Sequence, residues 1–124
     1  MEQKEKSNDF HEPPIVFHLV TLYEIAHKRV AGFPKHERYS IGEKIEGAIL
    51  ESLENVLATT IATKYEKEKF LLRLGVKIDL LKILFRLSFN LKFIEFKDYL
   101  EIEKRLNELG KMAGGWIKYA RREY

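Results

Sequence analysis

Along most of the chain apolar residues recur every three or four positions, the period of a helix with one buried face. From Ile15, the residues Leu19, Leu22, Tyr23, Ala26 and Val30 fall on one side, and Gly32 and Pro34 close that first helix. Ser40 stands as an N-cap, with Glu43 three residues later completing a capping box. Ile41, Ile45, Ile49, Leu53, Val56 and Leu57 then carry a second helix to about Thr63. Lys64 to Lys67 read as a short charged connection. The last helix begins near Glu95 or Phe96 and turns Tyr99, Ile102, Leu106, Leu109, Ala113, Trp116, Ile117 and Ala120 inward.

The third helix, from roughly Lys67 to Leu91, is different. Phe70, Leu74, Ile78, Leu81, Phe85 and Ser88 share one face, while Leu72, Val76, Leu80, Ile83 and Leu87 lie on nearly the opposite one. A helix apolar on two sides must bury both. The internal core takes the first face. The second is covered either by another copy of the protein, since a large apolar patch marks an interface, or by the chain's own helices wrapped around a central one.

Neither strand alternation nor hairpin turn chemistry occurs, so the expected fold is all-α: an antiparallel up-down four-helix bundle over residues 15–124, assembled with copies of itself if they cover the second face. Residues 1–14, "MEQKEKSNDFHEPP", are polar and end in Pro13-Pro14, which predicts a flexible tail. At 124 residues the chain supports one core. Its hydrophobic share of 45% separates it from disordered sequences. There is no cysteine, which excludes disulfides and thiolate metal sites. No signal-peptide pattern and no apolar run of membrane-spanning length occurs, so the expected location is the cytoplasm, without a membrane partner.

Charge changes the picture, because the net +3 is unevenly spread. Residues 36–63 hold two Lys or Arg against five Asp or Glu, a net of −3, and residues 64–97 hold nine against four, a net of +5. Two basic strips flank the apolar faces of the third helix, Lys69-Arg73-Lys77 and Lys82-Arg86. On the outer side of the last helix Lys97, Lys104, Lys111 and Lys118 repeat every seven residues, with Arg122 in line and Arg121 beside it. These cations are either a solvated face or a surface that neutralises phosphates, with Tyr119 and Tyr124 placed to stack on bases. Glu101, Glu103 and Glu108 dilute that field.

Chemistry beyond charge is sparse. His11, His18, His27 and His36 show no metal-ligand spacing, Ser40, Ser52 and Ser88 lack a nucleophile context, and no phosphate-cradling glycine loop occurs. Glu43, Glu46 and Glu54 are spaced as a solvated helix face. No catalytic residue, metal ligand or cofactor site is indicated, and the expected protein is not an enzyme. Gly114 and Gly115, beside the only tryptophan, Trp116, either admit another backbone closely or mark a local kink.

"FPKHERYSIGEKIEGAILESLENVLAT" (33–59), "LLKILFRLSFNLKFI" (80–94) and "LNELGKMAGGWIKYARR" (106–122) resemble, in order, three landmark segments of the Avd-like four-helix-bundle family. That family includes the accessory variability determinant of diversity-generating retroelements and related bundle proteins encoded in intervening sequences of large ribosomal RNA genes. The most specific matches are Phe33, Pro34, Lys35, Glu37, Arg38 and Tyr39 before the second helix, and Gly110, Gly114, Gly115, Trp116 and Ile117 in the last.

The resemblance implies a homopentameric barrel that acts with a reverse transcriptase and template RNA or DNA in error-prone cDNA synthesis. It also implies partner binding by basic residues of the third helix, at the matching positions Lys82 and Arg86. The charge pattern adds Lys111, Lys118, Arg121 and Arg122, and then Arg73 and Lys77. Leu72, Val76, Leu80, Ile83 and Leu87 would form the oligomer interface. The intervening-sequence relatives leave a second reading open: a self-assembling bundle with no nucleic-acid role.

Overall fold

The computed structural model describes residues 12–122. His11, Tyr124 and residues 1–11 of the expected tail lie outside them. Four long helices are present, α1 (Pro14–Ala31), α3 (Ile41–Ile61), α4 (Lys64–Asn90) and α5 (Phe96–Arg122), with a single helical turn, α2 (Lys35–Arg38), between the first two. Among the described residues there is no strand.

In cross-section the long helices form a square in the order α1, α3, α4, α5, each packed on its two sequence neighbours and α5 closing on α1. Polar contacts fix the antiparallel registers. Arg29 near the end of α1 meets Asp98 at the start of α5 (3.3 Å), and Arg121 at the end of α5 meets Glu68 at the start of α4 (2.7 Å). At mid-height Lys77 of α4 meets Glu51 of α3 (2.6 Å). The core is built from the predicted faces: Leu19 and Leu22, Ile45 and Ile49, Leu74, Ile78, Leu81 and Phe85, and Ile102, Leu106 and Leu109 are all buried. Buried Ser52, Thr59 and Ser88 turn their hydroxyls onto carbonyls four residues back (2.8, 2.8 and 2.9 Å), which satisfies them without a partner helix.

The ends of the helices depart from the sequence pattern in several places. α1 starts on proline: Pro13 caps it in an extended conformation and Pro14 fills the first helical position, where a missing N–H costs nothing. Ser40 is not a capping box with Glu43. Its hydroxyl points back to the Glu37 carboxylate (2.9 Å), because α2 brings Glu37 within reach first. Lys64 to Lys67 are not a connection but the first turn of α4, and only Ala62 and Thr63 join the two helices. Their polarity reflects an exposed turn, and Glu66 suits a helix N-terminus. Leu57 is exposed, not buried with the rest of its helix.

The Phe33–Tyr39 segment makes the corner between α1 and α3. Phe33 is buried, with its ring 5.3 Å from that of Phe93 in the α4–α5 loop, and Arg38 donates from Nε to the Phe33 carbonyl (3.1 Å). Gly42 then lets α3 close on α1, since a Cβ there would lie 2.6 Å from Cγ1 of Val30. At the other corner α4 ends in a Schellman motif: Phe93 N–H bonds the Ser88 carbonyl (2.8 Å) and Lys92 N–H that of Phe89 (2.9 Å). Lys92 occupies the left-handed position, φ 68°, where glycine is usual. Neither of the glycines singled out in α5 serves a close approach within the chain. A Cβ on Gly114 or Gly115 would meet nothing within 4 Å, and α5 passes through both without a break.

Three consequences can be measured by chemical denaturation. Gly42→Ala destabilises the bundle by about 1–3 kcal/mol, because Val30 must yield to the new methyl. Lys92→Gly stabilises it by about 1 kcal/mol by removing left-handed strain. Lys77 holds the Glu51 carboxyl below the usual carboxylate range, chiefly through their hydrogen bond. The native state therefore binds that proton more weakly than the unfolded chain. The pair's contribution is complete above the unfolded value and is lost as pH falls through the lowered native one, so wild type and Glu51→Gln converge in stability as pH falls through and below the usual carboxylate range.

Candidate functional site

The sequence-predicted residues concentrate on α4, and the fold divides them. The core face of the helix is enclosed by α1, α3 and α5. Opposite it Leu72, Val76, Ile83 and Leu87 stand in solvent, Val76 at 65% exposure, and Leu80 is half-buried against α3. The stripe continues to Leu91, also exposed. Near its lower end a hollow of about 450 Å³ is bounded by Asn55, Lys69, Leu72, Arg73, Val76 and Lys77. The described helices thus leave the second apolar face exposed.

The two basic strips lie along the seams of α4 with its neighbours. On the α3 side Lys77 is committed to Glu51, while Lys69 and Arg73 sit 5.5 and 5.6 Å from the centre of the Phe70 ring, within cation–π range. On the α5 side Lys82 and Arg86 share one edge of the helix, as their four-residue spacing requires. The Lys82 ammonium reaches across to α5 and lies 3.7 Å from where a Cβ would stand on Gly110, at ordinary contact distance. Arg86 is exposed and faces Tyr99, whose phenol is pushed up mainly by its hydrogen bond to Glu103; Arg86 acts in the opposite direction. Among the described residues no ion pair engages Lys82 or Arg86.

On α5 the cations divide in the same way. Lys111, Lys118 and Arg122 are exposed and point away from the core, but Arg121 is held by Glu68. Trp116 packs on the core and borders a shallow apolar groove with Pro13, Pro14, Ile15 and Met112, which ties the end of α5 to the start of α1.

Two features escaped the sequence reading. Glu46 is not part of a solvated face: it accepts from the Tyr23 hydroxyl (3.0 Å) and stands 3.1 Å from Nδ1 of His27, which joins α3 to α1. The Tyr23 ring stacks on His27, and its phenol is pushed up first by the bond to Glu46 and then by burial. A second exposed apolar face also runs over Phe17 and Val20 of α1 and Leu50 and Leu57 of α3. Its signal was present in the spacing, three residues in α1 and seven in α3, but both pairs lie out of phase with stronger core stripes. No set of three or more His, Asp or Glu close enough to hold a metal ion occurs among the described residues. No helix among them is long and apolar enough to cross a membrane.

No curated protein matches the chain. The family model described as bAvd-like matches residues 15–120, from the first turn of α1 to the last turn of α5. That span takes in the Phe33–Tyr39 corner, the two-faced α4 and the glycine-tryptophan segment of α5. The chain belongs to the bAvd-like family.

Proposed function

We propose that this protein is a non-enzymatic accessory factor of a diversity-generating retroelement, a homopentamer that binds the reverse transcriptase and template RNA or cDNA during mutagenic reverse transcription. The observation that carries the reading is the exposed half of α4, where an apolar stripe runs beside Lys82 and Arg86, which no carboxylate among the described residues pairs. The apolar stripe suits contact between copies. Lys82 and Arg86 suit phosphates or an acidic surface of the polymerase, and their chemistry is charge neutralisation and positioning, not bond making.

Lys111, Lys118 and Arg122 extend the same role along the outside of α5. Arg73 contributes from the other seam, while Lys77 and Arg121 act mainly as structural ion pairs. In this reading the bundle begins at Pro14, the residues before Pro13 are an appended tail, and the protein works in the cytoplasm.

The test is binding of a structured template RNA, with and without the reverse transcriptase, as salt is varied. Reversal of both cations, Lys82→Glu with Arg86→Glu, weakens binding by about tenfold or more and lowers the salt slope by about two, while the thermal midpoint of the bundle stays unchanged. Unchanged affinity in the double variant overturns the assignment of these residues. Absence of binding by the wild type at low salt, with or without polymerase, favours a self-assembling bundle of the ribosomal intervening-sequence type.

A further inference from the structure

The uncovered stripe of α4 is matched by a second apolar face elsewhere on the same chain. Tyr23 and His27 meet Glu46, which fixes the antiparallel register of α1 and α3. One turn further along, that register brings Val20 level with Leu50, and Phe17 follows towards Leu57. Phe17 is the most exposed large apolar side chain of α1, at 68%, and Leu50 and Leu57 are nearly half exposed. This face lies on the α1 side of α3, whereas the stripe lies on α4 beyond it, so the two are different patches.

Their rims carry opposite charge. Around the α1/α3 face the exposed charges are Glu24, Glu43 and Glu54, with Lys28 and Arg38 as the opposing cations. Around the α4 stripe they are Lys69, Arg73 and Arg86, with Asp79 and the Lys77-paired Glu51 as the opposing acids. Two α4 stripes pressed together would set like charges against each other, and so would two α1/α3 faces. One of each sets acids against bases. Shape agrees, since the hollow between Leu72 and Val76 is concave and has room for a phenyl ring such as that of Phe17.

We infer that the α1/α3 face of one copy docks on the α4 stripe of the next, with Phe17 entering the hollow beside Leu72 and Val76. The contact joins unlike patches, so it is heterologous: each copy offers one face forward and the other back, and the contacts repeat head to tail. The inference rests on the homo-oligomer of the proposed function and adds the surface that the α4 stripe meets. Acid on the α3 half and base on the α4 half, −3 over residues 36–63 and +5 over 64–97, thereby become the two halves of one interface.

The test is the mass in solution of the full-length protein, by light scattering, for wild type, Phe17→Glu and Val76→Glu, with helix content checked by circular dichroism. Each variant alone falls to a monomer. Mixed in equal amounts they form a one-to-one dimer, because Phe17→Glu keeps an intact α4 stripe and Val76→Glu keeps an intact α1/α3 face. An oligomeric Phe17→Glu variant of wild-type mass overturns the inference, and so does a mixture that stays monomeric.

If either substitution costs helix content, the rims are tested instead. Reversing Glu24, Glu43 and Glu54 to Lys lowers the mass, and further reversing Lys69, Arg73 and Arg86 to Glu restores it; no restoration overturns the docking. A monomeric wild type defeats the proposed homo-oligomer and this contact together. An oligomer that ignores the α1/α3 substitutions defeats this contact alone.

Discussion

A helix in a square four-helix bundle can hide only one side of itself, and α4 is apolar on two. Leu74, Ile78, Leu81 and Phe85 take the core, so Leu72, Val76, Ile83 and Leu87 are left facing water. No rotation of α4 relieves this, because turning the second face inward would expose the first. The other helices are arranged around that choice. α3 and α5 flank α4, and the long-range ion pairs Lys77–Glu51 and Arg121–Glu68 lie on the seams.

The seams also sort the cations. A lysine or arginine on a helix edge close to a neighbouring helix finds a carboxylate and becomes part of the scaffold, as Lys77 and Arg121 do. One on an edge whose neighbour offers a glycine, as Gly110 does to Lys82, keeps its charge available. This places positive charge without an ion-pair partner among the described residues beside exposed apolar surface on one helix. The acids of α1 and α3 gather on another side, so the field of the bundle is polar in direction although its net charge is small.

The glycines show how the same residue type serves different constraints. Gly42, which drew no attention in the sequence, is the one at which a side chain would collide, because it sits where α3 closes against Val30. Gly114 and Gly115 are conspicuous in the sequence but meet nothing within the chain. Sequence spacing reports which face a residue occupies, whereas the need for a missing Cβ depends on how closely two helices cross, and that distance is set by residues from both.

Periodicity alone determined the number of long helices, their inward faces and the anomaly of α4, because burial of one face follows directly from the angle between successive residues. The family segments, too, were legible as strings. What only the tertiary structure decided were matters of partnership. Ser40 looked like a cap until α2 placed Glu37 beside it, and Glu46 looked solvated until α1 brought Tyr23 and His27 to it. Leu57 looked like core because it follows Val56 in a strong stripe, yet the square arrangement turns it outward with Leu50. Lys77 and Lys82 look alike in sequence, and differ because one faces Glu51 and the other faces Gly110. A residue's own helix sets its direction, but its chemistry is set by what the neighbouring helix holds at the same height, and no local pattern carries that register.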